Sequence, residues 1–204
     1  MHAEIEPVGP LWLIDGWDVP HAAAAVVARH GVIARYGDPE RRFAWASVSK
    51  LCTALAVHVA CEEGVTTLDT PAGPAGATVR HLLAHASGLG PDDPLHALAR
   101  PGQRRIYSNA GYEVLAQHVE ERSGVAFATY LSESVLEPAG MARAELSGSA
   151  GSGIAGTLDD LIALARQLLE PTVVAPETLR GACAVAFETL SGVVPGFGLS
   201  LIHI

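Results

Sequence analysis

The sequence predicts an α/β (α+β) fold, and two observations carry this prediction. Two short apolar segments around a turn stand near the N-terminus, and the middle of the chain repeats apolar residues at helical spacing. Strand-like sequence returns less clearly near the C-terminus. At 204 residues the chain is long enough for one sizeable core, or for two small lobes that share one.

The N-terminal segment 11–38 has the pattern of strands and turns. An apolar run over 22–28 leads to a turn at His30-Gly31, and a second apolar run follows over 32–36. Two short apolar runs on either side of a glycine-containing turn predict a β-hairpin.

Helical periodicity dominates beyond the predicted hairpin. Apolar residues recur at helical spacing from 51 to 59, and Gly64 stands where a helix often ends. Thr157 followed by Asp160 is close to a capping box, with Asp in place of the usual Glu. The predicted helices cover 47–63, 79–86, 109–123, 126–136, 157–169 and 176–182.

Charge and composition indicate which classes of binding partner are to be expected. The net charge is −9, and basic residues pair only at Arg41-Arg42 and Arg104-Arg105, so we expect no nucleic-acid partner. No stretch approaches the roughly 20 apolar residues of a membrane helix, so we expect no membrane partner. The first residues are acidic where a secretory leader would be basic, which favours a cytoplasmic location.

The first candidate for chemistry is an S-x-x-K pattern formed by Ser47 and Lys50, the only lysine in the chain. Residues three apart share one helix face, so the Lys50 amine can reach the Ser47 hydroxyl. A buried lysine that has lost its proton can accept the serine proton, whereas an arginine stays charged. At a helix N-terminus, the Ser47 N–H would also face a reacting carbonyl. Taken alone, the pattern equally fits an N-cap serine with a solvated lysine.

The second candidate is the triplet Tyr107-Ser108-Asn109, just before the predicted helix 109–123. A tyrosine can relay a proton between nucleophile and leaving group, and an asparagine amide can bind a substrate amide carbonyl. The alternative is that Ser108 caps the helix while Tyr107 packs on the surface.

Four segments together resemble a known family. Residues 46–56, 82–89, 107–124 and 136–141 are similar to successive blocks of the serine β-lactamase-related family, which spans class C β-lactamases, D-Ala-D-Ala carboxypeptidases and related esterases. The resemblance runs from about residue 22 to residue 198, in the family's order. It implies a β-lactamase/transpeptidase-like fold, with an antiparallel sheet flanked by helices and a helical lobe.

The resemblance also implies roles for individual residues. Ser47 becomes the nucleophile, Lys50 its proton acceptor, Tyr107 a second acid/base and Asn109 a ligand of the substrate amide. The implied activity is a serine hydrolase that forms a covalent acyl-enzyme on a β-lactam, a D-Ala-D-Ala peptide or an ester. The partner is then a small-molecule or peptide substrate, and no cofactor is implied. His85 falls in a block that we interpret as structural.

Other interpretations stay open at this stage. His81 and His85 are four apart on a predicted helix, which is metal-ligand spacing, but no Glu adjoins His81 and no third ligand follows, so we predict no metal. The chain could also be a non-catalytic member that keeps the fold as a binding module. A helical interaction domain with chance motifs is the third alternative.

The resemblance divides the chain into three regions. Residues 1–64 hold the N-terminal strands and nucleophile helix of an α/β lobe, 65–150 form a mainly helical lobe, and 151–198 return to the α/β lobe.

The family carries a third motif, [KH]-x-G, on a strand that lines the site, and none follows Thr157. The ending 199–204 matches a translated transposon-end sequencing adapter, which predicts a non-native tail on a C-terminally truncated fragment. Because that strand supplies an oxyanion donor, we expect an active full-length parent and weak or no activity in these 204 residues.

Overall fold

The structure is a computed structural model that describes residues 9–187 and 190. The segment 191–198, at the end of the family resemblance, and the predicted tail 199–204 lie outside the described residues. The strands are β1 (Ala24–Ala28), β2 (Gly31–Tyr36), β3 (Phe43–Ala44), β4 (Glu145–Leu146) and β5 (Ile154–Gly156). The α-helices are α1 (Ser49–Glu62), α2 (Val79–Leu83), α3 (Asn109–Ser123), α4 (Phe127–Leu131), α5 (Leu158–Leu169) and α6 (Pro176–Cys183). Short 3₁₀ helices cover Gly9–Gly16 and Ala46–Val48, and a π-helical turn covers Ser132–Leu136.

The predicted N-terminal hairpin is confirmed. Strands β1 and β2 pair antiparallel, with a register shift between Val26 and Val27. The prediction of strands and turns is wrong for residues 11–16, which belong to the 3₁₀ helix Gly9–Gly16. Leu11 and Ile14, three apart, match the three-residue turn of that helix, and both are buried in a small cluster with Ala34.

A second sheet joins distant parts of the chain. Its strand order is β3-β5-β4, and both pairs are antiparallel. A Cβ on Gly156 of β5 would lie 2.5 Å from the ring of Trp45, so only glycine fits between them. This sheet therefore fixes residue 45 against β5, immediately before the predicted nucleophile.

Helix α1 lies at the centre of the main core. Most of its residues are buried, including polar Lys50 and Thr53, and it contacts α3 and α4. A helix that is buried on nearly all sides need not be amphipathic. One cluster of buried apolar residues extends from Trp45 to Ala182, across the three predicted regions. The division into those regions stays a prediction.

Most helix ends follow the sequence signals. Ser108 caps α3 by accepting a hydrogen bond from the Gly111 N–H, and Gly124 ends it in the left-handed conformation. Thr157 and Asp160 form the predicted capping box of α5. No helix in the described part of the chain combines the length and apolar character needed to cross a membrane.

Helix α2 is shorter than predicted, and the difference matters for the metal alternative. It ends at Leu83, and His85 takes a left-handed φ of 56°. His81 and His85 are therefore not on one helix, so the helical spacing that paired them as ligands is wrong. In residues 9–187 and 190, no group of three or more His, Cys, Asp or Glu could hold a metal ion.

Candidate active site

The backbone turns sharply just before Ser47. Strand β3 ends at Ala44, and Ala46 takes a left-handed φ of 46°, which costs a non-glycine residue about 1–3 kcal/mol. The Trp45 N–H donates to the Ile154 carbonyl at 2.9 Å and fixes the incoming side of the turn. Ser47 lies in the 3₁₀ turn 46–48, and α1 begins at Ser49, two residues later than predicted. The turn leaves the Ser47 side chain half-buried at the surface of the core.

Lys50 is held by three oxygen acceptors. Its side chain is only 2% exposed. The Nζ atom lies 3.3 Å from Ser47 Oγ, 2.6 Å from Asn109 Oδ1 and 2.7 Å from the Gly151 carbonyl oxygen. An ammonium group has three N–H donors, so these acceptors satisfy all of them and offset the cost of burying the charge. The spacing predicted from sequence is thus realised: the amine reaches the serine hydroxyl.

Tyr107 approaches the same hydroxyl from another element. Its phenol donates to Ser47 Oγ at 2.5 Å. The Lys50 Nζ lies 4.7 Å from the centre of the Tyr107 ring, within range of a cation–π contact. Ser47 Oγ therefore touches both candidate proton-transfer groups at once.

Asn109 is held at both ends of its amide. Its oxygen accepts from Lys50, and its nitrogen donates to Asp92 Oδ1 at 2.8 Å. The Asn109 backbone N–H donates to the Pro91 carbonyl at 2.7 Å. The amide nitrogen has two N–H groups, of which Asp92 takes one. The structure thus brings all four predicted site residues into one hydrogen-bonded network.

Sequence reasoning missed two contributors to this network. The Gly151 carbonyl and the Asp92 carboxylate bind Lys50 and Asn109, and neither carried a motif. His85, which we interpret as structural, has its ring 4.7 Å from that of Tyr107, and its Nδ1 accepts from the Ser108 N–H at 3.1 Å. It therefore supports the Tyr107-Ser108-Asn109 triplet directly. The order of the family's sequence blocks could have indicated this contact, since 82–89 precedes 107–124 both in this chain and in the family that it resembles.

Burial keeps the His85 ring neutral. Loss of hydration, together with the positive charges of Lys50 and Arg105, lowers the pKa of His85 to about 3. Because Nδ1 accepts the Ser108 N–H, the ring proton sits on Nε2. Tyr107 therefore stacks on an uncharged ring that adds no second positive charge beside Lys50.

We expect the folded state to lose stability as the pH falls below about 6.5, the ordinary pKa of histidine. Burial also lowers the pKa of His58, to about 4, although Glu62 opposes the shift. Unfolding lets both rings take up protons, so their contribution is fully present above pH 6.5 and is lost as the pH falls towards the folded values. Melting temperatures of the wild type and of His58→Gln, measured from pH 7.5 to pH 4, check this. The variant should show a shallower decline, and parallel curves for the two proteins would contradict the assignment.

Comparison with known proteins shows which protein family the chain matches. The sequence profile of the Beta-lactamase family matches residues 12–196. A β-lactamase from Mycobacterium bovis superposes with a TM-score of 0.88 at 51% identity, over 92% of this chain and 70% of that one. The octameric penicillin-binding protein homologue from Pyrococcus abyssi superposes with a TM-score of 0.79 at 21% identity, over 92% of this chain and 61% of that one, which shows the fold alone.

A relative from Bacillus subtilis supports the same family assignment. Penicillin-binding protein 4* of Bacillus subtilis is 32% identical over a match that covers 48% of this chain. The chain spans 29% of the length of that relative. Fold and similarities together define a β-lactamase/transpeptidase-like protein, as predicted. The chain belongs to the β-lactamase family, which includes penicillin-binding proteins, and family membership supports serine-hydrolase activity in general.

Proposed function

We propose that the protein is a serine hydrolase that forms a covalent acyl-enzyme through Ser47. One observation carries the proposal: Ser47 Oγ lies 3.3 Å from Lys50 Nζ and 2.5 Å from the Tyr107 hydroxyl. A half-buried serine in contact with two groups that can move protons has the arrangement of an activated nucleophile. A helix-capping serine with a solvated lysine would not bury that lysine among three acceptors.

Acylation follows from these contacts. For acylation Lys50 first releases one proton to solvent, and its two remaining N–H groups keep their bonds to Asn109 and Gly151. The freed amine then takes the Ser47 proton, and Oγ forms a bond to the substrate carbonyl carbon. In this proposal the Ser47 N–H, in the turn that leads into α1, stabilises the oxyanion. The bond to the leaving nitrogen or oxygen then breaks, and Tyr107 gives that atom a proton, which Lys50 restores. Water releases the acyl group by the reverse proton transfers.

The proposed substrate is a small molecule or peptide with an amide or ester carbonyl. The β-lactamase from Mycobacterium bovis, at 51% identity, and the penicillin-binding protein of Bacillus subtilis, at 32%, support a β-lactam or a D-Ala-D-Ala peptide as candidates. An ester is the third candidate, since the same acyl transfer serves all three.

The test is intact-mass analysis of the protein as its gene encodes it, after incubation with benzylpenicillin, a p-nitrophenyl ester or a D-Ala-D-Ala peptide. We expect the mass of one acyl group, and trypsin should confine it to the peptide 43–50, which follows Arg42 and ends at Lys50. Fragmentation of this peptide separates Ser47 from Ser49. The Mycobacterium bovis β-lactamase is the positive control. Reversible binding of penicillin without any adduct would contradict the hydrolase and favour a binding module.

A further inference from the structure

The third acceptor of Lys50 belongs to a loop with no strand or helix of its own. This glycine loop, residues 147–153, connects β4 to β5. Inside it, the Gly153 N–H donates to the Ser149 carbonyl and the Ser147 N–H to the Gly153 carbonyl. Glycines at 148, 151 and 153 give the backbone many alternative conformations, so fixing one of them is entropically costly. Inside the loop the Gly151 N–H also donates to Ser149 Oγ at 3.1 Å, so the position of Gly151 depends on what holds the Ser149 hydroxyl as well as on contacts from outside the loop.

Helix α1 supplies one set of contacts. Thr53 Oγ1 donates to the Ala150 carbonyl at 2.7 Å, and Lys50 itself donates to Gly151. The Ile154 N–H, just after the loop, donates to Ser49 Oγ at 3.0 Å. All three hold the loop on the α1 side only.

Helix α3 supplies the opposing contact through Glu113. Its Oε1 atom accepts hydrogen bonds from the Ser149 hydroxyl and, at 3.2 Å, from the Gly151 N–H. The Gly151 N–H is thus shared between Glu113 and Ser149 Oγ, the hydroxyl that Glu113 itself holds, while the Gly151 carbonyl accepts from Lys50. Fixing the peptide nitrogen restrains the residue whose carbonyl orients the amine.

The geometry of α3 links this contact to the site. Asn109 and Glu113 are four residues apart and so lie on one helix face. Asn109 binds the amine directly, and Glu113 binds it through the loop. A single face of α3 therefore determines two of the three acceptors around Lys50.

We propose that Glu113 is a positioning residue, which fixes the glycine loop so that Gly151 orients the Lys50 amine towards Ser47. The mechanistic consequence rests on the proposed function. The Glu113 side chain is exposed, so its charge is screened by water, and hydrogen-bond acceptance is what the loop needs from it. A glutamine, whose amide oxygen can accept the same bonds, should therefore substitute for it, and an alanine should not.

The first test monitors the environment of the Lys50 side chain by NMR and does not depend on catalysis. Because Lys50 is the only lysine, protein labelled with carbon-13 at lysine Cε gives one lysine side-chain resonance. We expect Glu113→Ala to shift and broaden this resonance and Glu113→Gln to leave it near the wild-type position. Glu121→Ala is the matched control, because Glu121 lies on the same helix, is exposed and accepts from Gln117. It should leave the resonance unchanged.

The second test measures acylation by a fluorescent penicillin or a p-nitrophenyl ester. We expect Glu113→Ala to lower the rate at saturating reagent by about 10–100-fold with little change in the half-saturating concentration, since a small misplacement of a reacting group has this effect. Glu113→Gln should stay within about threefold of the wild type. If Glu113→Ala does not fold, Ser149→Ala removes the Ser149 bond to Glu113 and the Gly151 bond to Ser149 Oγ, and it should shift the Lys50 resonance in the same direction.

Two results would overturn the proposal. One is a lower melting temperature in Glu113→Ala with an unchanged Lys50 resonance and an unchanged rate per folded molecule, which would make the contact merely structural. The other is a glutamine variant as impaired as the alanine variant. If the wild type forms no acyl-enzyme, the proposed function fails, and the Lys50 resonance still decides whether Glu113 positions the amine.

Discussion

Replacement of Ser47 by alanine is expected to abolish the covalent adduct and to lower turnover by about 10³-fold or more. The change removes the oxygen that both Lys50 and Tyr107 contact, and with it the atom proposed to bond to the substrate carbon. Groups that act as one catalytic unit lose nearly all of their contribution when the nucleophile is removed. Lys50 keeps its bonds to Asn109 and Gly151, so the fold should survive. Intact mass after penicillin treatment and initial rates with an ester measure both effects.

The control for this variant is Ser132→Ala, a second serine-to-alanine change. Ser132 Oγ donates to Glu137 in the π-helical turn and has no bond to the site network. It should retain the wild-type adduct and rate. A Ser47→Ala protein that still carries a stoichiometric acyl group would mean that another residue is the nucleophile, and fragmentation of peptide 43–50 would show whether Ser49 has taken the label.

Local rules account for the parts of the site that the sequence could predict. The three-residue spacing of Ser47 and Lys50 needs only the geometry of one helical turn. The cap of α3 at Ser108 and the capping box at Thr157 are also encoded within four residues. These features place the proposed nucleophile, an amine and the start of a supporting helix without any knowledge of the tertiary fold.

Long-range contacts account for what could not be predicted. Strands β3, β4 and β5 have two or three residues each, too few to show a periodicity, and they form only because distant segments meet. The Gly151 oxygen is a backbone atom, so no side-chain motif marks it. His85 was placed on a helix because its left-handed φ cannot be inferred from residue type. Its contact with Tyr107 depends on that turn.

Replacement of Lys50 by arginine should lower the acylation rate by about 10²–10⁴-fold, the range typical of general acid–base catalysis. An arginine keeps a positive charge and can donate to Asn109 and Gly151, but it cannot accept the Ser47 proton. Lys50→Met should also lower the melting temperature, because the buried Gly151 oxygen and the part-buried Asn109 oxygen would lose their donor. The two variants therefore separate proton transfer from packing, with stopped-flow acylation and thermal unfolding as the measurements.

Rescue by small amines is the stricter test of proton transfer. Lys50→Ala leaves a space where the buried side chain was, and methylamine or ethylamine that enters it can take the Ser47 proton. We expect acylation of Lys50→Ala to rise with amine concentration and with the fraction of neutral amine, while Lys50→Arg, whose side chain fills the space, should not respond. An arginine variant within about tenfold of the wild type would assign the proton to Tyr107, the remaining group in contact with Ser47 Oγ that can accept it. The lysine would then act by placing charge between Asn109 and Gly151.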